Sequence, residues 1–372
     1  MSRSGSARLR NLLLLALVAV LLQSVLEMTR RPVRQRDYDL KLQATEKAEL
    51  AMETIRRHRR IEGAQIDLVN DPAGSGLIGP EFSLITNSRG DLESKLTAVN
   101  PNFAGVLVDM LKRTGASAGD PVAVAISGSF PGLNICLFSA MEQLELKPIV
   151  ITSVGASMWG ANDPRFTWLD MESLFVDQNV FTTRSAAATY GGGDDMGRGL
   201  SPRGRELIEE AITRNNVELL GSDNIEHAIQ KRMAFYELEA RGRGFKAFVN
   251  IGGGVASIGS SRNKILLQPG LSFELQPRNW PRKGTLVLMA DRGVPIIHLL
   301  GITTLAREYG LPIAPDYLPM PGEGEIFVRD GYRLDLAALF FISYFALCAF
   351  VLAPEVRRNF AGMWRRRQNE TN

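Results

Sequence analysis

Three short stretches carry residue types and spacings able to do chemistry. The first is Ser127-Gly128-Ser129-Phe130-Pro131-Gly132, set between the apolar run Pro121–Ile126 and a helical pattern over Leu133–Leu146. A strand-to-helix turn of this kind offers successive backbone N–H groups and a helix N-terminus to an anion. Ser127, Gly128, Ser129 and Asn134 are its candidate contacts. It has no P-loop lysine and no G-x-G-x-x-G spacing, so nucleotide binding is not indicated. The second stretch, Ser153–Asp163, follows a second strand pattern over Ile149–Ser153 and offers Ser153, Trp159, Asn162 and Asp163. The third, Gly252-Gly253-Gly254, closes a strand pattern over Phe245–Ile251. Each can also be read as structure alone: a tight turn, a surface loop with one tucked-in Trp, and a bulge. If the strands are parallel neighbours, all three stretches border one crevice at their carboxyl ends.

The same residues admit a nucleophile. Ala125-Ile126-Ser127-Gly128-Ser129 has the small-x-Ser-x-small form of a nucleophile elbow without the strict G-x-S-x-G. Ser127, Asp291 and His298 then stand in hydrolase order. Against this, His298 lies inside the apolar run Ile296–Leu300, where a hydrogen-bonded core histidine is the simpler reading. With only Cys136 and Cys348, a disulfide-rich scaffold, zinc ribbons and clustered-thiolate iron–sulfur ligation are excluded. No histidine or carboxylate spacing resembles a metal site, and no cofactor is indicated.

The elements that must position these residues lie between two apolar segments. Leu12–Leu22 is an unbroken apolar run with arginines on both flanks, and Glu27-Met28-Thr29-Arg30 suits signal cleavage badly. It reads as a transmembrane signal anchor over 11–27, behind a basic N-terminus over 1–10. Leu336–Ala353 is uncharged and is followed by Arg357, Arg358, Arg365, Arg366 and Arg367 with Trp364. That is a second span with a basic tail over 354–372, and the tail assigns both termini to the cytoplasm of a plasma (inner) membrane. The central section is then extracytoplasmic. Of 43 Lys and Arg, 31 lie within residues 37–335, against 37 of the 40 Asp and Glu. That section carries −6 although the whole chain carries +3. Nucleic acid is therefore an improbable partner, and the lipid bilayer is the one the sequence implies.

Within the central section, residues 28–62 read as a helical stalk and 63–333 as an α/β domain with a boundary between lobes near 190–200. Helical patterns cover Leu92–Val99, Phe103–Arg113, Pro202–Asn215, Asn224–Arg241 and Pro295–Tyr309. Further strands are expected at Phe82–Thr86, Ile265–Gln268, Leu286–Met289 and Ile326–Val328. Alternation of this kind predicts a three-layer α/β domain with a mostly parallel sheet.

Taken together, the anchor, ISGSFPGLN at 126–134, SVGASMWGANDP at 153–164, VNIGGGVASIG at 249–259 and the C-terminal span with its arginine tail resemble the poly-gamma-glutamate system protein family. The resemblance implies a membrane-anchored accessory protein for synthesis or export of an anionic, γ-linked glutamate polymer, partnered by other membrane proteins of that system. It brings no catalytic residues with it. A crevice binding polymer, precursor or partner is the leading expectation, and a serine hydrolase or transferase the alternative. The acidic balance of the domain requires that any polymer site be a local cationic groove.

Overall fold

The computed structural model describes residues 3–369, with side chains from Leu9 to Ala353; the side chains of the arginine tail lie outside the described residues. The chain divides into a unit of residues 1–34 with 328–372 and a unit of Gln35–Phe327. In the first unit, α1 (Arg3–Met28) leads into β1 (Arg31–Arg34).

The second unit begins with α2 (Tyr38–Ile61), β2 (Thr86–Ser88), α3 (Leu92–Thr97) and α4 (Phe103–Arg113). The stretch expected as a stalk is therefore mostly α2, and it belongs to the globular unit. Ala44, Ala48, Ala51 and Ile55 recur on one face and are fully buried, and α2 packs on α4 and on the later helix over Pro131–Gln143. Lys41 reaches Asp109 of α4 at 2.9 Å. A charged helix with this much alanine on one stripe packs closely; it does not stand alone.

β3 (Pro121–Ser127), α5 (Pro131–Gln143) and β4 (Lys147–Ser153) form a βαβ unit with all of β3 buried. Three two-residue strands follow, β5 (Ala156–Ser157), β6 (Asn162–Asp163) and β7 (Phe166–Thr167), then α6 (Trp168–Asp177), β8 (Ala187–Thr189), α7 (Pro202–Arg214), β9 (Glu218–Leu219) and α8 (Ile225–Ala240). β10 (Ala247–Ile251), α9 (Val255–Ile258), α10 (Asn263–Leu266), β11 (Gly270–Ser272), α11 (Thr285–Asp291), β12 (Ile296–Leu299) and α12 (Ile302–Glu308) complete the unit. The loop near 190–200 divides no lobes, because Gln35–Phe327 is one compact unit.

The main sheet has seven strands in the order β11-β12-β10-β3-β4-β8-β9. All neighbours are parallel except β11 against β12. The chain lays β4, β8 and β9 on one side of β3 and then crosses to lay β10 and β12 on the other. The order therefore reverses between β3 and β10, and in open parallel sheets the crevice for a ligand lies there, at the carboxyl ends. On one face, Ala123, Ala125, Ile149, Ile151, Phe248 and Ile296 pack with Met233 and Tyr236 of α8 and Leu286, Val287 and Met289 of α11.

Four elements differ from expectation, the first being the strand expected over Phe82–Thr86, which lies at Thr86–Ser88 as β2 behind a turn. Leu286–Met289 is helical in α11, Ile265–Gln268 overlaps the short helix α10, and Pro295–Tyr309 is a strand plus a helix. Apolar runs as short as Leu286–Met289 and Ile265–Leu267 fit a buried strand or a buried helix equally well, so periodicity could not separate them. The break within 295–309 is Gly301, at φ +71°, between β12 and α12.

The first unit closes with β13 (Val328–Gly331), slightly beyond the expected Ile326–Val328, and α13 (Leu334–Asn369). β1 and β13 pair antiparallel from Arg31↔Gly331 to Arg34↔Val328. Leu9–Met28 and Leu334–Ala353 are each long and apolar enough to cross a membrane. Each has 20 residues, about 30 Å of helix, which matches the hydrocarbon thickness of a bilayer.

Candidate functional site

Ser127 and Ser153 are register partners at the carboxyl ends of β3 and β4. The Gly128 N–H donates to the Ser153 carbonyl at 3.0 Å. On the other side of β3, Gly252 ends β10 with φ +92°, and a methyl group there would stand 3.0 Å from Ser127 Oγ. The turn after β3, the end of β4 and the glycine run after β10 thus converge. They open into a crevice of about 350 Å³ whose walls include Ser127, Ser129, Ser153, Gly253 and Gly254.

Side chains absent from the sequence reading complete it. Arg89, Lys95 and Lys264 all border the crevice, and Asp91 is the one acidic residue among its walls. Asp91 is partly engaged, since its Oδ1 accepts the Ser94 N–H at 2.9 Å and caps α3. Ser88, Ser94 and Ser157 add hydroxyls, and Gly191–Gly193 add further backbone. An acidic domain therefore presents a locally cationic, hydroxyl-rich groove.

Lys95 is the least expected member. It is 3% exposed, and its Nζ donates to the Ser129 carbonyl and lies 2.7 Å from Ser157 Oγ. The Phe130 ring centroid is 4.1 Å away. Burial lowers the ammonium to about 7, opposed by the Asp91 charge.

Beneath the crevice, Arg232 of α8 is buried against Asp195 from the loop after β8. Its Nη2 also donates to Ser153 Oγ at 2.9 Å and Thr189 Oγ1 at 2.8 Å. Asn134 of α5 is fully buried and donates from Nδ2 to the Ser127 carbonyl at 2.9 Å. Asn134 thus braces the turn from behind and does not border the crevice.

Trp159, Asn162 and Asp163 do not border it either. Trp159 exchanges backbone hydrogen bonds with Gly79 and Pro80. Asn162 Nδ2 donates to the Pro80 carbonyl and to Thr86 Oγ1, both at 2.8 Å. Asp163 pairs with Arg165 and edges a separate depression with His58 and Phe166. The reason is β5, which pairs with β2 and leads the chain away from the strand ends after Ser157.

The Ser127–Asp291–His298 arrangement is not assembled. The Asp291 carboxylate is held by Lys283 at 2.7 Å, at the end of the helix that precedes β12. His298 Nδ1 lies 2.9 Å from Asn250 Nδ2, which also donates to the Gly252 carbonyl at 2.7 Å. His298 is therefore a core support for the Gly252 turn, with burial lowering it to about 4. Among the described residues no cluster of His, Cys, Asp and Glu could hold a metal ion.

No protein-family model, curated protein or solved structure matches this chain.

Proposed function

We propose that the chain is a membrane-anchored accessory protein of poly-γ-glutamate synthesis or export, and that its crevice binds the anionic polymer or its precursor. One observation carries this reading: Arg89 and Lys264 border a crevice of backbone turns and hydroxyls with Asp91 as the single opposing acid. Carboxylates set along a flexible chain suit such a pocket, since a guanidinium like that of Arg89 can take one carboxylate bidentately and an ammonium like that of Lys264 acts as a point charge. The polymer and the other membrane proteins of its synthesis are the proposed partners. In this reading the helices cover both faces of the sheet as three layers.

Membrane anchorage has its own support. Leu13, Leu14, Leu17, Val20 and Leu21 of α1, and Phe341, Ile342, Phe345 and Phe350 of α13, are all exposed. A contiguous apolar surface of this length is untenable in water. The β1–β13 ribbon brings the inner ends of α1 and α13 together, so both helices leave from one place. With the arginine tail cytoplasmic, the central domain is extracytoplasmic. Protease added to intact spheroplasts is expected to digest it, and protection until lysis would reverse the orientation.

The binding test is titration of the full chain in detergent with poly-γ-glutamate and with a neutral polymer of equal length. Affinity for the polyanion alone, falling with salt and about 10-fold for Arg89→Gln or Lys264→Gln, is the expected result. Equal affinity of both variants and wild type would remove the reading.

A further inference from the structure

Lys95 and Ser157 stand in a relationship that anion binding alone does not explain. An anion site gains from an ammonium free to meet its ligand. Lys95 instead arrives from α3 with its amine turned onto a hydroxyl, 2.7 Å from Ser157 Oγ. Ser157 is fixed in turn. Its residue pairs with Ser88 across β5 and β2, its N–H donates to Ser129 Oγ at 3.1 Å, and its carbonyl accepts the Gly160 N–H at 3.0 Å. Both side chains border the crevice, yet Lys95 is 3% and Ser157 6% exposed. The described structure gives Lys95 no ion pair: its polar partners are the Ser129 carbonyl and the Ser157 hydroxyl. A lysine without a counter-ion, desolvated beside a fixed serine, is the arrangement of a nucleophile and its base.

We propose that Ser157 is a nucleophile activated by Lys95, and that the pair cleaves or transfers an acyl group of an anionic amide or ester bound in the crevice. The proposal rests on the reading of the crevice as an anion site. The Ser129 carbonyl takes one N–H of the neutral amine and leaves its lone pair to the Ser157 O–H. Ser157 Oγ attacks the acyl carbon while its proton passes to Lys95 Nζ. The bond to the leaving amine or alcohol then breaks, the leaving group takes the proton from Lys95, and an ester to Ser157 remains. Water attacks that ester, Lys95 accepts the water proton, and the carboxylic acid departs as Ser157 recovers its hydrogen. A second amine in place of water gives transfer. Burial of Lys95, which brings its amine to about 7, supplies the neutral form at working pH. Asp91 opposes that shift, and Arg89 and Lys264 are the other charged groups at the crevice.

The test uses the full chain in detergent with a fluorescent fluorophosphonate, mapping the modified residue by mass spectrometry. Label is expected on Ser157, with a rate that rises through a midpoint near 7. Ser157→Ala and Lys95→Arg should each lower the rate by at least about 100-fold, the arginine because it stays protonated. A second variant guards against misfolding: Ser157→Cys should be alkylated by iodoacetamide with a midpoint below about 7.5. A midpoint near that of a free thiol, about 8.5, would overturn the pair. So would label on another serine, or an undiminished rate in Lys95→Arg. A wild-type chain that binds poly-γ-glutamate but takes no label overturns the nucleophile and leaves the anion site standing. A chain that does neither overturns both.

Discussion

The Arg232 guanidinium meets the Asp195 carboxylate with both side chains almost wholly buried, Nε to Oδ2 at 2.8 Å and Nη2 to Oδ1 at 3.0 Å. This pair ties α8 to the glycine loop after β8 and, through Ser153 and Thr189, to the floor of the crevice. Removing one partner strands a buried charge, so Arg232→Met and Asp195→Asn should each cost about 3–5 kcal/mol. The double variant Arg232→Met/Asp195→Asn should cost less than the sum, because no charge is left behind. Thermal melting of the four proteins in detergent closes the cycle, and strict additivity would refute the coupling.

Two neighbouring glycines should behave differently. Gly252 has φ +92°, and an added Cβ stands 3.0 Å from Ser127 Oγ, whereas Gly254 has open space around that position. Gly252→Ala is expected to cost about 1–2 kcal/mol and to weaken polyanion binding by displacing Ser127. Gly254→Ala should leave the melting temperature nearly unchanged. Equal effects of the two substitutions would show that backbone conformation is not what the first position needs.

The parts of this architecture that were legible are the parts written locally. A fully buried parallel strand reads as an unbroken apolar run, so β3, β4 and β10 were visible, and with them the convergence of Ser127, Ser153 and Gly252. Helix α4 showed its apolar face through the spacing of Val106, Leu107, Met110 and Leu111. The cationic side of the crevice was not legible. Arg89 and Lys95 come from β2, α3 and their loop, far from any strand of the main sheet in sequence, and only the β2–β5 pairing carries them to its edge. Lys95 carries no local mark, being one lysine in a short polar helix. Trp159, Asn162 and Asp163 failed for the converse reason: they follow a strand end closely, but two residues of β5 turn the chain elsewhere.

Cys136 gives a simple probe of the native core. It lies on α5, is fully buried, and burial pushes its thiol well above the ordinary range. The folded chain should therefore leave Cys136 unmodified by iodoacetamide at pH 8 over hours, and react after denaturation. Rapid native modification, read by mass spectrometry of the Cys136 peptide, would show that α5 opens locally far more readily than its packing implies.

Lys95 should leave a signature in stability as well as in reactivity. Its amine titrates at about 7 when folded, against 10.5 in the unfolded chain. Below 7 both states are protonated, and the buried ammonium lowers stability by a constant amount. Between 7 and 10.5 the unfolded chain holds one more proton, so stability rises with pH by about 1.4 kcal/mol per unit from this group. Above 10.5 the contribution is again flat. Tyr190, Tyr236 and Tyr309 are also shifted upward, but they remain in a Lys95→Met variant and cancel in the comparison. Wild type minus Lys95→Met, measured by denaturant unfolding at half-unit steps, should therefore slope upward across that window and level off at its lower edge. The variant should be the more stable of the two at pH 6, because it buries a methyl thioether where the wild type buries a charge that makes no ion pair among the described residues. A flat difference would mean that the Lys95 ammonium is paid for in the folded state, and an amine so compensated could not serve Ser157 as a base near neutrality.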